Sequence, residues 1–147
     1  MSFRFALAPL LRLRQSIERQ RTLQLQEANL QVSRAQETLA QLERFLSDSA
    51  QSDSTALKAG CTAAELQFAS VLRENLHRFR QELQSDIRKL ELLRQQAASE
   101  YHQAYREREV LETMRARQRR AYQQEQLRRQ QQELDAAYLL QRWHHRN

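Results

Sequence analysis

The chain has 147 residues and a formal net charge of +6, and it contains only one glycine and one proline. Because tight turns rely on these two residues, the composition excludes a compact fold with many turns, and with it the walled pocket that an enzyme needs. The abundance of Gln, Arg, Glu, Leu and Ala is typical of long helices and coiled coils.

The positive charge is carried almost entirely by arginine, since lysine occurs only at Lys58 and Lys89. A basic chain favours an anionic partner, either a nucleic acid or an acidic protein surface. Arginine in particular favours carboxylates, which a guanidinium binds through two parallel hydrogen bonds, although a GC-rich genome would give the same bias. Cys61 is the single cysteine, which excludes an internal disulfide and fits a cytosolic protein.

The first predicted helix covers about residues 8–46. Pro9 suits its first turn because the fixed φ of proline matches a helix. From Leu25 onward apolar residues alternate in steps of three and four, which is the spacing of a coiled-coil seam. This seam consists of Leu25, Ala28, Val32, Ala35, Leu39, Leu42 and Leu46.

Residues 47–61 are predicted to form a loop. The stretch 47–55 is rich in serine and has little to bury, and the only glycine, Gly60, follows it. We therefore expect the chain to reverse its direction once, within this segment.

The second predicted helix covers about residues 63–143. Thr62 and Glu65 match a capping box, in which each side chain accepts a hydrogen bond from the backbone N–H of the other residue. An apolar residue recurs every seven positions, at Leu76, Leu83, Leu90, Ala97, Ala104 and Leu111. The companion seam positions are assigned to Phe79, Ile87, Leu93, Tyr101 and Met114.

Such a repeat requires another helix against it, and the first helix is the nearest candidate. The predicted fold is therefore all-α: a long antiparallel two-helix coiled-coil hairpin with an extended C-terminal helix, forming a single domain over residues 1–147. Because the second helix is about twice as long as the first, its end projects beyond the pairing. Residues 115–147 carry eight arginines against Glu125, Glu133 and Asp135, so this end is basic, and self-association through it remains open.

No pattern in the chain indicates catalysis, a metal site or a cofactor. His144 and His145 are adjacent and point about 100° apart on a helix, and no further ligand set accompanies them. One glycine cannot build a phosphate-binding loop. Nucleic-acid binding is not expected either, because carboxylates interrupt the basic runs and no known DNA-reading motif occurs, but it stays an alternative.

Several segments together resemble the flagellar FliJ family. They are Phe3-Arg4-Phe5-x-Leu7 followed by Pro9-Leu10-Leu11-Arg12-Leu13-Arg14, then residues 63–67 (AAELQ), 106–112 (REREVLE) and 128–135 (RRQQQELD). The order and spacing of these segments agree with the family over essentially the whole chain.

The resemblance implies a non-enzymatic, cytoplasmic component of the flagellar type III export apparatus, held at the cytoplasmic face of the inner membrane only through its partners. Members of the family form an antiparallel coiled coil similar to the central stalk of rotary ATPases. They bind the hexameric export ATPase and promote assembly of its ring, contact the transmembrane export gate and handle export chaperones. The related stalk of a virulence-type injectisome remains an alternative.

Two sets of site residues follow. The basic end beside an aromatic amino terminus assigns ATPase binding to Phe3, Phe5, Arg117, Arg120, Arg128 and Arg129. The resemblance places an export-gate stripe at Phe68, Leu72, Asn75 and Phe79, of which the last two depart from the Ala and His of the family pattern. Alternatively, Phe68 and Leu72 only seal the end of the hairpin.

Overall fold

The computed structural model describes residues 2–146 and consists of two helices packed against each other. Helix α1 spans Ala8–Ala59 and helix α2 spans Ala63–His144. No strand occurs among the described residues, which confirms the all-α prediction. Ion pairs between the helices have the order that antiparallel packing requires. Arg14 near the start of α1 pairs with Glu107 in the later part of α2, and Asp53 near the end of α1 pairs with Arg73 near the start of α2.

The prediction of a loop over residues 47–61 is wrong, because α1 continues to Ala59. Ser49 and Asp53 are half-buried and extend the seam beyond Leu46 in the same steps of three and four. The Asp53 carboxylate forms an ion pair with Arg73 of α2. Asp53 at a seam position thus has a partner on α2, and this serine-rich stretch without glycine or proline stays helical.

The reversal of the chain takes only the three residues between the helices. Gly60 has a φ of 89°, a left-handed conformation that L side chains rarely adopt, and α1 ends directly before it. Thr62 then caps α2: the Glu65 N–H donates to the Thr62 hydroxyl and the Thr62 N–H donates to the Glu65 carboxylate, both at 3.3 Å. The predicted capping box is confirmed.

The chain divides into two compact units, and the second consists of Gln20–Tyr101. Its predicted α1 seam is confirmed, since Val32 and Leu42 are buried and the five other seam residues are half-buried. Its α2 seam differs from the prediction: Phe79 and Leu93 are exposed, whereas Arg80 and Arg94 are half-buried.

The reason for this error is a change of step. The confirmed companions Ile87 and Tyr101 lie four residues after a heptad leucine or alanine, whereas Phe79 and Leu93 lie three residues after one. Only one of these two registers can face α1 along the whole helix. The register that faces α1 is the one with steps of four, and it contains Arg80 and Arg94. Arginine can occupy a half-buried seam because its aliphatic stem packs against the other helix while its guanidinium reaches a carboxylate. Arg80 reaches Glu43 at 3.3 Å in this way.

The first unit combines the described residues up to Arg19 with those from His102 onward. Its core is formed by Phe5, Leu11 and Leu111, and Phe3, Leu7 and Ala8 pack against this core. The extended segment before α1 therefore folds back onto α2. Met114, a predicted seam residue, is exposed here. Arg108, which lies four residues after Ala104, is half-buried in the same register as Ile87 and Tyr101.

Arg108 and Glu18 form the most buried ion pair of the described residues, with each side chain 17% exposed. The Arg108 guanidinium also lies 3.5 Å from a Glu112 carboxylate oxygen and stacks 5.1 Å from the centre of the Tyr105 ring. Burial lowers the pKa of Arg108, but the hydrogen bond to Glu18 and the negative charges of Glu18, Glu112 and Glu109 outweigh it, so the pKa is raised. The Arg108 guanidinium therefore stays charged.

Candidate partner-binding surfaces

The two units differ sharply in charge. The first contains fourteen arginines against seven carboxylates, a formal charge of +7, and the second contains ten basic residues against eleven carboxylates, a charge of −1. The whole positive surplus of the chain thus lies in the first unit. An anionic partner is attracted to that unit and not to the second.

The four arginines assigned to ATPase binding all lie on the exposed surface of α2 in the first unit. Arg117 and Arg120 make no ion pair with any carboxylate of the described residues. Arg128 and Arg129 instead share Glu125, each with a nitrogen 3.2 Å from one of its oxygens. Arg117 and Arg120 consequently offer their full charge to a partner, whereas the other two are partly neutralised.

The two arginines lower the pKa of Glu125. Hydrogen bonds from Arg129 and then Arg128 lower the pKa of its carboxyl, and the nearby positive charge of Arg128 lowers it further. Its side chain is 41% exposed, so water competes with both arginines. The cluster of Glu125, Arg128 and Arg129 keeps a net charge of +1 and remains open to an outside carboxylate.

Phe3 and Phe5 occupy different environments. Phe5 is buried in the core of the first unit at 8% exposure, so a partner cannot reach it directly in this conformation. Phe3 is half-buried, and its ring lies 5.7 Å from the ring of Tyr122. The structure thus brings Phe3 close to the basic part of α2, and Phe5 holds this arrangement by anchoring the amino-terminal segment.

One basic residue was missed by the sequence reasoning. Arg106, Arg117 and Arg128 are spaced by eleven residues, which is three helical turns, so they lie on one face of α2 about 16 Å apart. Arg106 is exposed, and the surface between it and Arg117 carries the exposed apolar side chains of Val110 and Met114. The signal in the sequence is the eleven-residue spacing of these arginines, which differs from the seven-residue spacing of the apolar seam.

The four residues assigned to the export gate lie together on α2 in the second unit. Phe68, Leu72 and Phe79 are 71%, 41% and 47% exposed, and Asn75 is exposed as well. Their steps of four, three and four confine them to an arc of about 60° on the helix. We call these four residues the apolar stripe. The 71% exposure of Phe68 favours the stripe over the alternative in which Phe68 and Leu72 only seal the end of the hairpin.

Residues 2–146 contain neither a cluster of metal-ligating side chains nor a helix that could span a membrane. No group of three or more His, Cys, Asp or Glu side chains comes close enough to hold a metal ion. Neither helix contains a long enough apolar run to cross a bilayer.

Comparison with known proteins bears on these surfaces. The family model described as "Flagellar FliJ protein" matches residues 3–147, which is nearly the full chain. No curated protein and no solved structure matches the chain. The match extends over both helices and both units, and the family is a component of the flagellar export apparatus. The chain belongs to the flagellar FliJ family.

Proposed function

We propose that this protein is a non-enzymatic stalk and adaptor of the flagellar type III export apparatus. Its first unit binds the hexameric export ATPase and promotes assembly of the ring, and the apolar stripe of its second unit contacts the transmembrane export gate. Export chaperones are further partners, a role that rests on the family resemblance alone. These contacts keep the protein in the cytoplasm, at the face of the inner membrane where the apparatus lies.

The observation that carries the ATPase assignment is the charge of the first unit. A surplus of +7 on one unit and −1 on the other gives a field that orients the chain as it approaches a carboxylate-rich surface. Arg117 and Arg120 supply exposed guanidinium groups without a local carboxylate. Arg106 adds a third exposed charge on the same side of α2 as Arg117.

The experiment reverses two charges at a time. We expect Arg117→Glu with Arg120→Glu to weaken binding to the purified export ATPase by roughly a hundredfold or more, since each of the two interfacial charge pairs contributes about 1.5 kcal/mol or more. Arg128→Glu with Arg129→Glu should have a smaller effect, because Glu125 already neutralises part of their charge. Both variants should also stimulate ATP hydrolysis less than the wild type, and the loss should be larger for the variant at Arg117 and Arg120.

A matched control is available in the second unit. Arg34 and Arg44 are exposed on α1, and their reversal to Glu changes the net charge of the chain by the same amount. If this control reduced ATPase binding as strongly as the Arg117 and Arg120 variant, net charge alone would account for the result. The assignment of the first unit would then be wrong.

The gate assignment rests on the exposure of the apolar stripe. Phe68 and Leu72 contribute little to the packing of α1 against α2, so replacing both by Ser should leave thermal stability nearly unchanged. Binding to the cytoplasmic part of the export gate should fall by tenfold or more, because a few buried side chains, aromatic anchors such as Phe68 among them, carry most of the binding energy of such interfaces. Leu23→Ser with Leu92→Ser removes two apolar side chains, 66% and 65% exposed, at other places in the same unit, and this variant should bind the gate normally.

Two alternative functions make different predictions. A nucleic-acid-binding protein would retard DNA or RNA in a gel, with an affinity that falls steeply as salt rises, and would not bind the ATPase. An injectisome stalk would bind the ATPase of a virulence system in preference to that of the flagellum. The family match favours the flagellar assignment over both.

A further inference from the structure

The end of α2 exposes an unusual amount of apolar surface. Every residue from 127 to 146 is exposed, and large apolar side chains recur throughout this segment. They are Leu127, Leu134, Tyr138, Leu139, Leu140 and Trp143, each 60% to 66% exposed. A solvated helix end gains nothing from such side chains, so their presence indicates a surface that becomes covered.

The last three of these side chains lie on one side of the helix. From Leu139, Leu140 is displaced by about 100° and Trp143 by about 40°, so the three share an arc of about 100°. Leu134 lies about 180° from Trp143 and belongs to the opposite side. We call Leu139, Leu140 and Trp143 the terminal face.

The charges around the terminal face have one sign. Asp135 is the last carboxylate side chain of the sequence, and Arg142 and Arg146 follow it together with two histidines. Both arginines are exposed and none of the described carboxylates forms an ion pair with them. An apolar arc that includes a tryptophan and is accompanied by unpaired arginines has the composition of an interfacial membrane helix.

We propose that the terminal face inserts into the headgroup region of an anionic lipid bilayer, with Arg142 and Arg146 contacting lipid phosphates. A second copy of the chain packed in parallel is a poorer occupant, because it would bring the same arginines against one another. An acidic protein would satisfy the charges, but a tryptophan that exposes both an apolar ring and an N–H donor suits the boundary between headgroups and acyl chains.

This contact goes beyond the proposed function, in which the membrane is reached only through partners. It uses residues that take no part in the ATPase set or the apolar stripe. The terminal face would add a second attachment, parallel to the gate and dependent on lipid composition. Because it can be measured with the chain alone, its failure would leave the ATPase and gate assignments untouched.

Trp143 is the only tryptophan of the chain, so its fluorescence reports directly on the terminal face. The experiment adds the full chain to vesicles of phosphatidylglycerol and phosphatidylcholine, or of phosphatidylcholine alone. We expect the emission to move to shorter wavelength with the anionic vesicles only, and quenching by lipids brominated near the headgroups. The binding should weaken severalfold as salt rises from low to physiological concentration.

Variants separate the apolar and the electrostatic contributions. Leu139→Ser with Leu140→Ser keeps the probe and should lower vesicle affinity by roughly tenfold or more, because two apolar side chains no longer enter the bilayer. Arg142→Glu with Arg146→Glu should abolish the preference for anionic lipid. Leu127→Ser with Leu134→Ser removes two leucines of similar exposure from the other side and should bind like the wild type.

Three outcomes would overturn the proposal. One is an emission that stays unchanged with anionic vesicles. Another is a shift that depends on protein concentration without any vesicles, which would indicate self-association. The third is a shift with soluble polyglutamate but not with anionic vesicles, which would indicate an acidic protein. Circular dichroism of each variant shows that the helix content is retained, so a lost signal is not mistaken for unfolding.

Discussion

The interior ion pair of Glu18 and Arg108 allows a quantitative test of how the first unit is held together. Arg108→Met alone removes the guanidinium and leaves the Glu18 carboxylate at a position where the side chain is only 17% exposed. Removing one partner of a fully buried pair costs about 3 to 5 kcal/mol. Because water still reaches both side chains, we expect a smaller cost of about 2 to 3 kcal/mol in the free energy of unfolding.

The double variant should behave differently. Glu18→Met with Arg108→Met replaces both charges by flexible apolar side chains of similar length, which can pack beside Leu11 and Leu111. Replacing a buried pair by apolar residues is often neutral or stabilising, so the double variant should lose less than about 1 kcal/mol. The coupling energy between the two positions would then be about 2 kcal/mol or more.

Urea unfolding followed by circular dichroism measures the free energies of all four members of this cycle. Amide hydrogen exchange at Leu11 and Leu111, both buried in the first unit, shows whether the loss is local to that unit. Arg128→Met is the control: its side chain is 68% exposed, and its loss should cost less than about 0.5 kcal/mol. If the two single costs simply added in the double variant, the pair would not be coupled and the reasoning would be refuted.

Three other predictions concern the bend and the basic end. Gly60→Ala should destabilise the protein by about 1 kcal/mol in urea unfolding, because a residue with a Cβ is strained at a φ of 89°. No neighbouring atom would clash with the added Cβ, so Gly60→Asn, which tolerates this backbone conformation better, should cost clearly less. Thr62→Ala should cost about 1 kcal/mol through loss of the cap, and an equal cost for Thr62→Ser would contradict this explanation. The lowered pKa of Glu125 means that its interaction with Arg129 is fully present above the ordinary carboxyl value of 4.5 and is lost as the pH falls through the lower, folded-state pKa. NMR titration should therefore find the Glu125 midpoint below 4.5 in the wild type and closer to it in Arg129→Ala; equal midpoints would contradict the assignment.

The two-helix fold could be predicted because the local physics is nearly complete in the sequence. Seven apolar residues from Leu25 to Leu46 follow one spacing, and all of them face α2 as expected. The capping box at Thr62 is equally local, since it needs only residues three apart. The family match over residues 3–147 agrees with the resemblance of the segments on which the functional assignment was based.

The loop over 47–61 was mispredicted although the sequence contained a better guide. Gly60 is the only residue after Pro9 with special backbone freedom, and the bend lies there. The serine-rich composition suggested a loop because Ser and Asp side chains compete for backbone hydrogen bonds and so favour turns over helices. Asp53 is held in the helix by Arg73 on α2, a partner twenty residues away that no local pattern reveals.

The sequence by itself determined the number of helices, the cap of α2, the α1 seam and the excess of arginine, because each depends on residues within a few turns of one another. Only the tertiary structure decided which arginines are available to a partner. Arg80 and Arg108 pair with carboxylates of α1 in the seam, and Arg128 and Arg129 share Glu125. Arg117 and Arg120 form no ion pair with any carboxylate of residues 2–146. The physical reason is that the availability of a charge depends on what lies opposite it, and that depends on the register between two helices distant in sequence.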